Sequence, residues 1–325
     1  MIITGGNGFI GRHLLKKLVS CRPISVVLIS NTYSTNTNNL KDAKLVKDMP
    51  LTFYTADIRD KEAISDIFHH ERADTCVHLA AKISVADSIR KPDETMDINA
   101  NGTLNVLEAC HKSGVNNFVF ASSAAVYGDV KKLPISENQT LRPLSPYGTS
   151  KMLAEQHVLS YKQLKKIQNI ISLRMFNVYG IGQASEADVI TRFAKGLLDG
   201  SPPVIYGDGM QTRDFISITD VTDAFLLSIR AMEESANNNK FNMTSPFVFN
   251  IGTGIPTSIK ELAEKMITIL DLDLHPIYEK GKDAERGILH SYADTARSKE
   301  LLHFVPKTGI ETGLREMMGT MISMK

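Results

Sequence analysis

The sequence predicts an α/β fold: a doubly wound parallel sheet followed by a smaller, irregular α/β substrate lobe. Three observations predict it. Short β-branched runs alternate with longer amphipathic runs from residue 1 to about 175, the first run passes straight into a glycine-rich turn, and the alternation loosens after Asn177. A chain of 325 residues is long for one minimal core, so one large or two fused domains are expected.

The strands of the first half fall at 1–4, 25–30, 51–56, 75–78, 117–121 and 170–173, each a short run rich in Val, Ile, Phe or Thr. Helical periodicity fills the gaps at 9–20, 61–70, 93–112 and 150–164. Beyond Asn177, 180–187 reads as a loop, 189–198, 219–231 and 258–269 read as helices, and the polar, Asn-rich stretch 233–242 reads as an exposed loop.

Composition narrows the function classes. Lys plus Arg number 37 and Asp plus Glu 36, a net charge of +1, which offers neither nucleic acid nor an anionic membrane an electrostatic partner. A small ligand is the better expectation. Cys21, Cys76 and Cys110 are odd in number and widely spaced, fitting neither a disulfide framework nor a metal site, and they read as buried thiols. No apolar run approaches the roughly 18 residues of a membrane span, and Met1-Ile2-Ile3-Thr4 leaves no room for a signal peptide. A cytoplasmic location is the expectation.

The first strand runs into Thr4-Gly5-Gly6-Asn7-Gly8-Phe9-Ile10-Gly11, with Gly5, Gly8 and Gly11 three apart at a strand-to-helix turn. Such glycines permit a tight turn, close approach of backbone to a pyrophosphate and close helix-to-sheet packing, with the phosphates on the helix N-terminus. This is the dinucleotide-binding pattern of a Rossmann fold. The second strand departs from it: an acidic residue should grip the adenosine ribose, but the strand ends Ser30-Asn31. No Arg stands there to hold a 2′-phosphate, so NAD rather than NADP is expected. Asp57, after the third strand, either accepts from the adenine amino group or serves as a turn residue or helix cap.

Tyr147 and Lys151 lie four apart at the start of a predicted helix and so share a face. A free Tyr, with a pKa near 10, is no base at neutral pH, whereas a nearby cation stabilises the phenolate. Lowering it by about three units takes roughly 4 kcal/mol, within reach of one close ammonium plus a nicotinamide cation.

Taken together the motifs resemble the nucleotide-sugar epimerase/dehydratase family of extended short-chain dehydrogenases, especially the UDP-hexose 4-epimerases. They recur in order over almost the whole chain: Thr4 to Gly11, Ala56-Asp57, His78-Leu79-Ala80-Ala81, Asn99 with Gly102-Thr103, Ser122 to Gly128, Tyr147 to Lys151, Leu173 to Gly180 and Gly207 to Phe215. The resemblance implies an NAD-binding domain over 1–176 and a nucleotide-sugar lobe over 177–325, with some chain crossing between them. It implies Tyr147 as base, Lys151 on the cofactor ribose and Ser123 on the reacting hydroxyl, although a small residue needed for packing would also explain Ser123. NAD would meet Gly5, Gly8, Phe9, Ile10, Gly11, Ser30, Asn31, Asp57, Ile58, Leu79, Ala80, Ala81, Asn99, Tyr147 and Lys151. Asn99 reads equally as a helix residue bonded to the sheet. The sugar nucleotide would meet Ser84, Ser123, Asn177, Arg213, Arg286 and Ser291.

Dehydratases of this family carry an Asp and a Glu after the strand-five hydroxyl, because eliminating water across two carbons needs an acid and a base. Here those places hold Ala124 and Ala125. The resemblance therefore implies NAD-dependent epimerisation of a UDP-hexose at C4 through a 4-keto sugar, by a homodimer joined through the helices preceding and containing Tyr147. A nucleotide-sugar reductase and a non-catalytic dinucleotide sensor are the alternatives, and retention of Ser123, Tyr147 and Lys151 argues against the sensor. In the related epimerases the position of Ser291 walls the hexose pocket, and a small residue there leaves space for an N-acetyl group.

Overall fold

A computed structural model of the chain describes residues 1–21, 25–31, 50–183, 188–238, 247–280 and 288–324. The first half alternates strand and helix: β1 (Ile2–Thr4), α1 (Phe9–Cys21), β2 (Val26–Ser30), β3 (Leu51–Thr55), α2 (Lys61–Glu71), β4 (Thr75–His78), α3 (Val85–Arg90), α4 (Pro92–Met96), a π-helical turn (Asp97–Asn101), α5 (Gly102–Lys112), β5 (Asn117–Ser123), α6 (Pro146–Gln163) and β6 (Asn169–Met175). The rest of the chain forms β7 (Asn177–Tyr179), α7 (Val189–Leu198), β8 (Val204–Tyr206), β9 (Thr212–Ser217), α8 (Ile218–Asn238), β10 (Phe247–Ile251), β11 (Pro256–Ser258), α9 (Ile259–Ile269), β12 (Ile277–Glu279), β13 (His290–Ser291), α10 (Ala296–Leu301) and α11 (Ile310–Ser323).

Seven strands form the main sheet in the order β10-β6-β5-β4-β1-β2-β3. β1 pairs in parallel with both β2 and β4, so the strand order reverses at β1. In open α/β sheets the carboxyl ends of the strands at such a reversal form the ligand crevice. The turn after β1 and the Leu79-Ala80-Ala81 segment after β4 therefore lie side by side at those ends.

The chain divides into two compact units: residues 1–126, 143–174 and 222–249 form one, and 127–142, 175–221 and 250–325 the other. The first unit is built on wholly buried apolar residues such as Ile2, Phe68, Val106, Leu107, Phe118 and Val158. The second has its own core around Phe193, Ile205, Leu262, Met266, Leu314 and Met318. Its β9 is flanked by β11, β13 and β7. No helix among the described residues is long and apolar enough to cross a membrane.

Several elements differ from expectation. The helix expected over 93–112 is α4, the π-helical turn and α5 in succession. Lys91, held out of helical backbone before Pro92, ends α3, and Pro92 then starts α4 at a position where its missing N–H costs nothing. The stretch 233–242 is not all loop, since α8 runs on to Asn238, while 239–242 lie outside the described residues. β10 was not legible at all. It joins the main sheet by pairing with β6, a contact between segments far apart in sequence.

Candidate active site

Around β1 the glycines are forced by neighbours. Gly5 has φ +71°, and a Cβ there would lie 2.6 Å from the backbone nitrogen of Ala80. At Gly11 a Cβ would come within 2.5 Å of the Gly6 carbonyl oxygen, so a side chain would push α1 off the turn. Gly8 is exposed, and the first turn of α1 carries no acidic side chain to satisfy its N–H groups. That leaves a positive helix end open to an anion. Phe9 and Ile10 are half-buried, and Ser30 and Asn31 end β2 with no acidic side chain among the described residues there.

Ser145 opens α6, its hydroxyl accepting from the Gly148 N–H at 3.1 Å, and Pro146 follows in the first turn. This sets Tyr147 and Lys151 one turn apart on the face turned to β5. Ser123 ends β5, accepts from the Ala125 N–H at 3.2 Å and hydrogen-bonds the Tyr147 phenol. Burial raises the Tyr147 pKa above its ordinary value, and the Ser123 hydrogen bond opposes the rise. The phenol is thus not ionised by the protein alone; further positive charge is needed to make it a base. Neighbouring Ser122 is buried with its Oγ unpartnered, so of the two serines Ser123 is the one that reaches Tyr147.

Lys151 is only 4% exposed. Its Nζ donates to the Ala121 carbonyl at 2.7 Å and lies 4.9 Å from the Phe120 ring centroid. Desolvation pulls its pKa from 10.5 to about 8, with Glu155 pulling upward. His78, wholly buried, is bonded through Nδ1 to the Thr4 hydroxyl (2.6 Å) and through Nε2 to that of Thr103 (2.9 Å). Burial, then the Lys151 charge, lowers its pKa to about 3, so it stays neutral.

Other expected cofactor and substrate residues have local tasks. The Asn99 amide accepts from the Lys82 N–H (2.8 Å) and spends both donors, on the Lys82 carbonyl (2.9 Å) and on Ser150 Oγ (2.9 Å). The π-helical turn aims this side chain, and the three bonds tie the segment after β4 to α6. Asp57 holds the Arg59 guanidinium at 2.7 Å, and that bond lowers its pKa below the usual carboxylate range. The Ile58 side chain is buried in the core against Gly102, and its carbonyl accepts from the Asn105 side-chain amide at 3.1 Å. Ser84 caps α3, accepting from the Asp87 N–H at 3.1 Å. Leu79, Ala80 and Ala81 are half-buried in the segment after β4.

In the second unit, β13 lies parallel to β9 with Ser291 opposite Arg213. Residues opposite each other in a ladder project to the same face, so these two share one. Ser291 is buried. The Arg213 guanidinium bonds the carbonyls of Thr212 (2.8 Å) and Leu289 (3.4 Å), no carboxylate among the described residues pairs with it, and desolvation lowers its pKa. Asn177, opposite Phe215 on β7, is exposed. Arg286 lies outside the described residues.

Residues 1–244 match the model of the NAD dependent epimerase/dehydratase family. The chain belongs to that family. A relative from Methanocaldococcus jannaschii, named provisionally as a UDP-glucose 4-epimerase, is 35% identical over 324 residues, covering 99% of this chain and 98% of the relative. The solved UDP-glucose 4-epimerase of Thermotoga maritima with UDP-glucose is 32% identical, with TM-score 0.87 over 99% of this chain and 98% of that one. A UDP-N-acetylglucosamine 4-epimerase from Methanobrevibacter ruminantium, in complex with UDP-N-acetylmuramic acid, is 30% identical, with TM-score 0.85 over 100% and 98% of the two chains.

As a member of the epimerase/dehydratase family this chain is an NAD-dependent enzyme, and the N-terminal turn of α1, with Gly8 exposed and no acidic side chain in it, fits the cofactor's pyrophosphate. Sequence reasoning quoted His78 within a motif without giving it a role, and it missed Glu155. For Glu155 a signal existed, because 147, 151 and 155 continue one four-residue spacing along the helix.

Proposed function

We propose that this enzyme epimerises a UDP-hexose at C4. The observation that carries this reading is the content of the relay: Ser123, Tyr147 and Lys151 converge, while Ala124 and Ala125 follow Ser123 where an elimination would need an acid and a base. Such a site moves one proton at one carbon. When bound, NAD supplies the hydride acceptor that converts the C4 alcohol to a ketone and the donor that reverses it on the other face. Tyr147 takes the 4-hydroxyl proton and later returns it, with Ser123 hydrogen-bonding the same oxygen. Lys151 holds the cofactor ribose and supplies positive charge near the phenol. Gly5, Gly8 and Gly11 with the N-terminus of α1 hold the pyrophosphate, and Leu79, Ala80 and Ala81 let the cofactor lie on backbone.

Arg213 holds the substrate diphosphate, which accounts for a guanidinium left with carbonyl partners alone. Ser291 leaves room for an acetamido group, in keeping with the relative named for N-acetylglucosamine. UDP-N-acetylglucosamine is therefore a second substrate, turned over within about tenfold of UDP-glucose, which corresponds to roughly 1.4 kcal/mol in the barrier. The enzyme works as a cytoplasmic homodimer joined through α6, on which Leu153 is exposed, and the helices that precede it.

The test is incubation of purified protein, without added cofactor, with UDP-glucose, UDP-N-acetylglucosamine and UDP-glucuronate, followed by product identification. The 4-epimers should form with no net consumption of NAD or NADH. Steady consumption of NAD(P)H would replace this reading with a reductase.

A further inference from the structure

Tyr147, Lys151 and Glu155 occupy one face of α6, each a turn below the last. The first two have roles in the relay. Glu155 has none, yet it is completely buried. Its carboxylate accepts from Arg174 Nε at 3.1 Å and from Ser172 Oγ at 3.0 Å. Arg174 and Ser172 stand two apart on β6, so both project to the same side of the sheet.

Burying such a pair is expensive, and apolar residues of similar volume commonly serve packing as well or better. α6 itself uses Ala154, Val158 and Tyr161 for that purpose elsewhere on its buried surface. A charged pair at this position therefore calls for an electrostatic reason, and Lys151 supplies one. The groups facing Lys151 are His78 of β4, neutral at any working pH, and Phe120 with the Ala121 carbonyl of β5. From its own helix come Tyr147 and Glu155, and behind Glu155 stand Arg174 and Ser172 of β6. Glu155 is the group that opposes the loss of the lysine proton caused by burial.

We infer that Glu155, anchored by Arg174 and Ser172, is a positioning residue of the relay whose carboxylate keeps the buried Lys151 ammonium charged. The inference rests on the reading of Lys151 as the cation that serves Tyr147. It predicts that the pair sets the upper pH limit of the enzyme without touching substrate.

Removing Glu155 alone would strand Arg174 as an unpaired buried cation, so the test variant is the double change Glu155→Gln with Arg174→Met. Two readouts are taken against wild type. In the pH profile of kcat on UDP-glucose, the alkaline limb of the variant should lie about one pH unit lower, the low end of what one neighbouring opposite charge contributes. In protein labelled with [ε-13C]lysine, the Lys151 resonance, assigned by its loss in Lys151→Met, should titrate lower by the same amount. A folded variant whose lysine midpoint matches wild type overturns the inference, because a merely structural pair would leave that midpoint alone. Should the double variant not fold, Glu155→Asp draws the charge back by one methylene, and an unmoved lysine midpoint there is equally fatal. Failure of wild type to epimerise any UDP-sugar would sink the proposed function instead, and the resonance would still decide the role of Glu155.

Discussion

The two units treat buried charge in opposite ways. In the first, the Glu155 carboxylate meets the Arg174 guanidinium directly, and Lys151 sits one turn away on the same helix. In the second, Arg213 and Asp214 are neighbours in sequence and do not pair. Asp214, fully buried, accepts among the described residues from neutral groups: the Thr253 N–H (2.7 Å) and hydroxyl (2.6 Å), the Gly254 N–H (2.9 Å) and the Ala293 N–H (3.1 Å). Adjacent strand residues point to opposite faces, so β9 sends the anion inward as a fastener and leaves the cation beside it without a counter-ion.

The sharpest way to break this contrast is at the relay. Tyr147→Phe should lower kcat by about 10²- to 10⁴-fold while the purified protein still carries its cofactor, because only proton transfer is lost. Activity within a few-fold of wild type would remove Tyr147 as the base. Next come Asp214 and Arg213. Asp214→Ala strands several buried donors and should cost roughly 3–5 kcal/mol in urea unfolding. Arg213→Ala should leave the unfolding midpoint nearly unchanged and raise KM about 10- to 100-fold for every UDP-sugar alike, since one charge-assisted contact is worth roughly 1.5–3 kcal/mol. If the two variants behave alike, the division of labour between them is wrong.

Lys151 sharpens the comparison through pH. Its pKa in the fold, about 8, is below the unfolded 10.5. Below pH 8 both states hold the proton, and the folded state bears the full cost of burying it. As pH rises from 8 to 10.5 the folded state sheds the proton first, so this cost is relieved. The relief amounts to roughly 3 kcal/mol at most. Wild-type stability should therefore gain over that window relative to Lys151→Met, and parallel curves for the two proteins would refute a buried ammonium. The smallest effect concerns the second unit alone: Ser291→Tyr should selectively remove turnover of UDP-N-acetylglucosamine, an overpacking penalty of roughly 1–3 kcal/mol being enough. Equal loss on UDP-glucose would place Ser291 away from the acetamido group.

Legibility followed how local each signal was. The glycine spacing and the Tyr147–Lys151 spacing are repeats within one turn or one helix, and sequence pattern captures such repeats, although what forces Gly5 is the backbone of Ala80, far along the chain. Glu155 was missed because a charged residue in a helix reads as solvent-facing, and its partner lies 19 positions away on β6. The burial of Ile58 against Gly102 was not legible either, since it depends on how α5 packs. What places Ser291 beside Arg213 is a two-residue strand, too short to carry any periodicity. For Asp57 the sequence left a ligand contact and a turn or cap role open, and in the structure it accepts from the Arg59 N–H and guanidinium two residues on.

The most direct measurement is made on wild type in D2O with UDP-glucose and no added cofactor. If Tyr147 only ferries the hydroxyl proton while the carbon-bound hydrogen is lifted and returned within the site, the UDP-galactose formed carries ordinary hydrogen at C4, read by NMR or mass spectrometry. Deuterium at C4 of the product, or no UDP-galactose at all, would contradict epimerisation by internal hydride return.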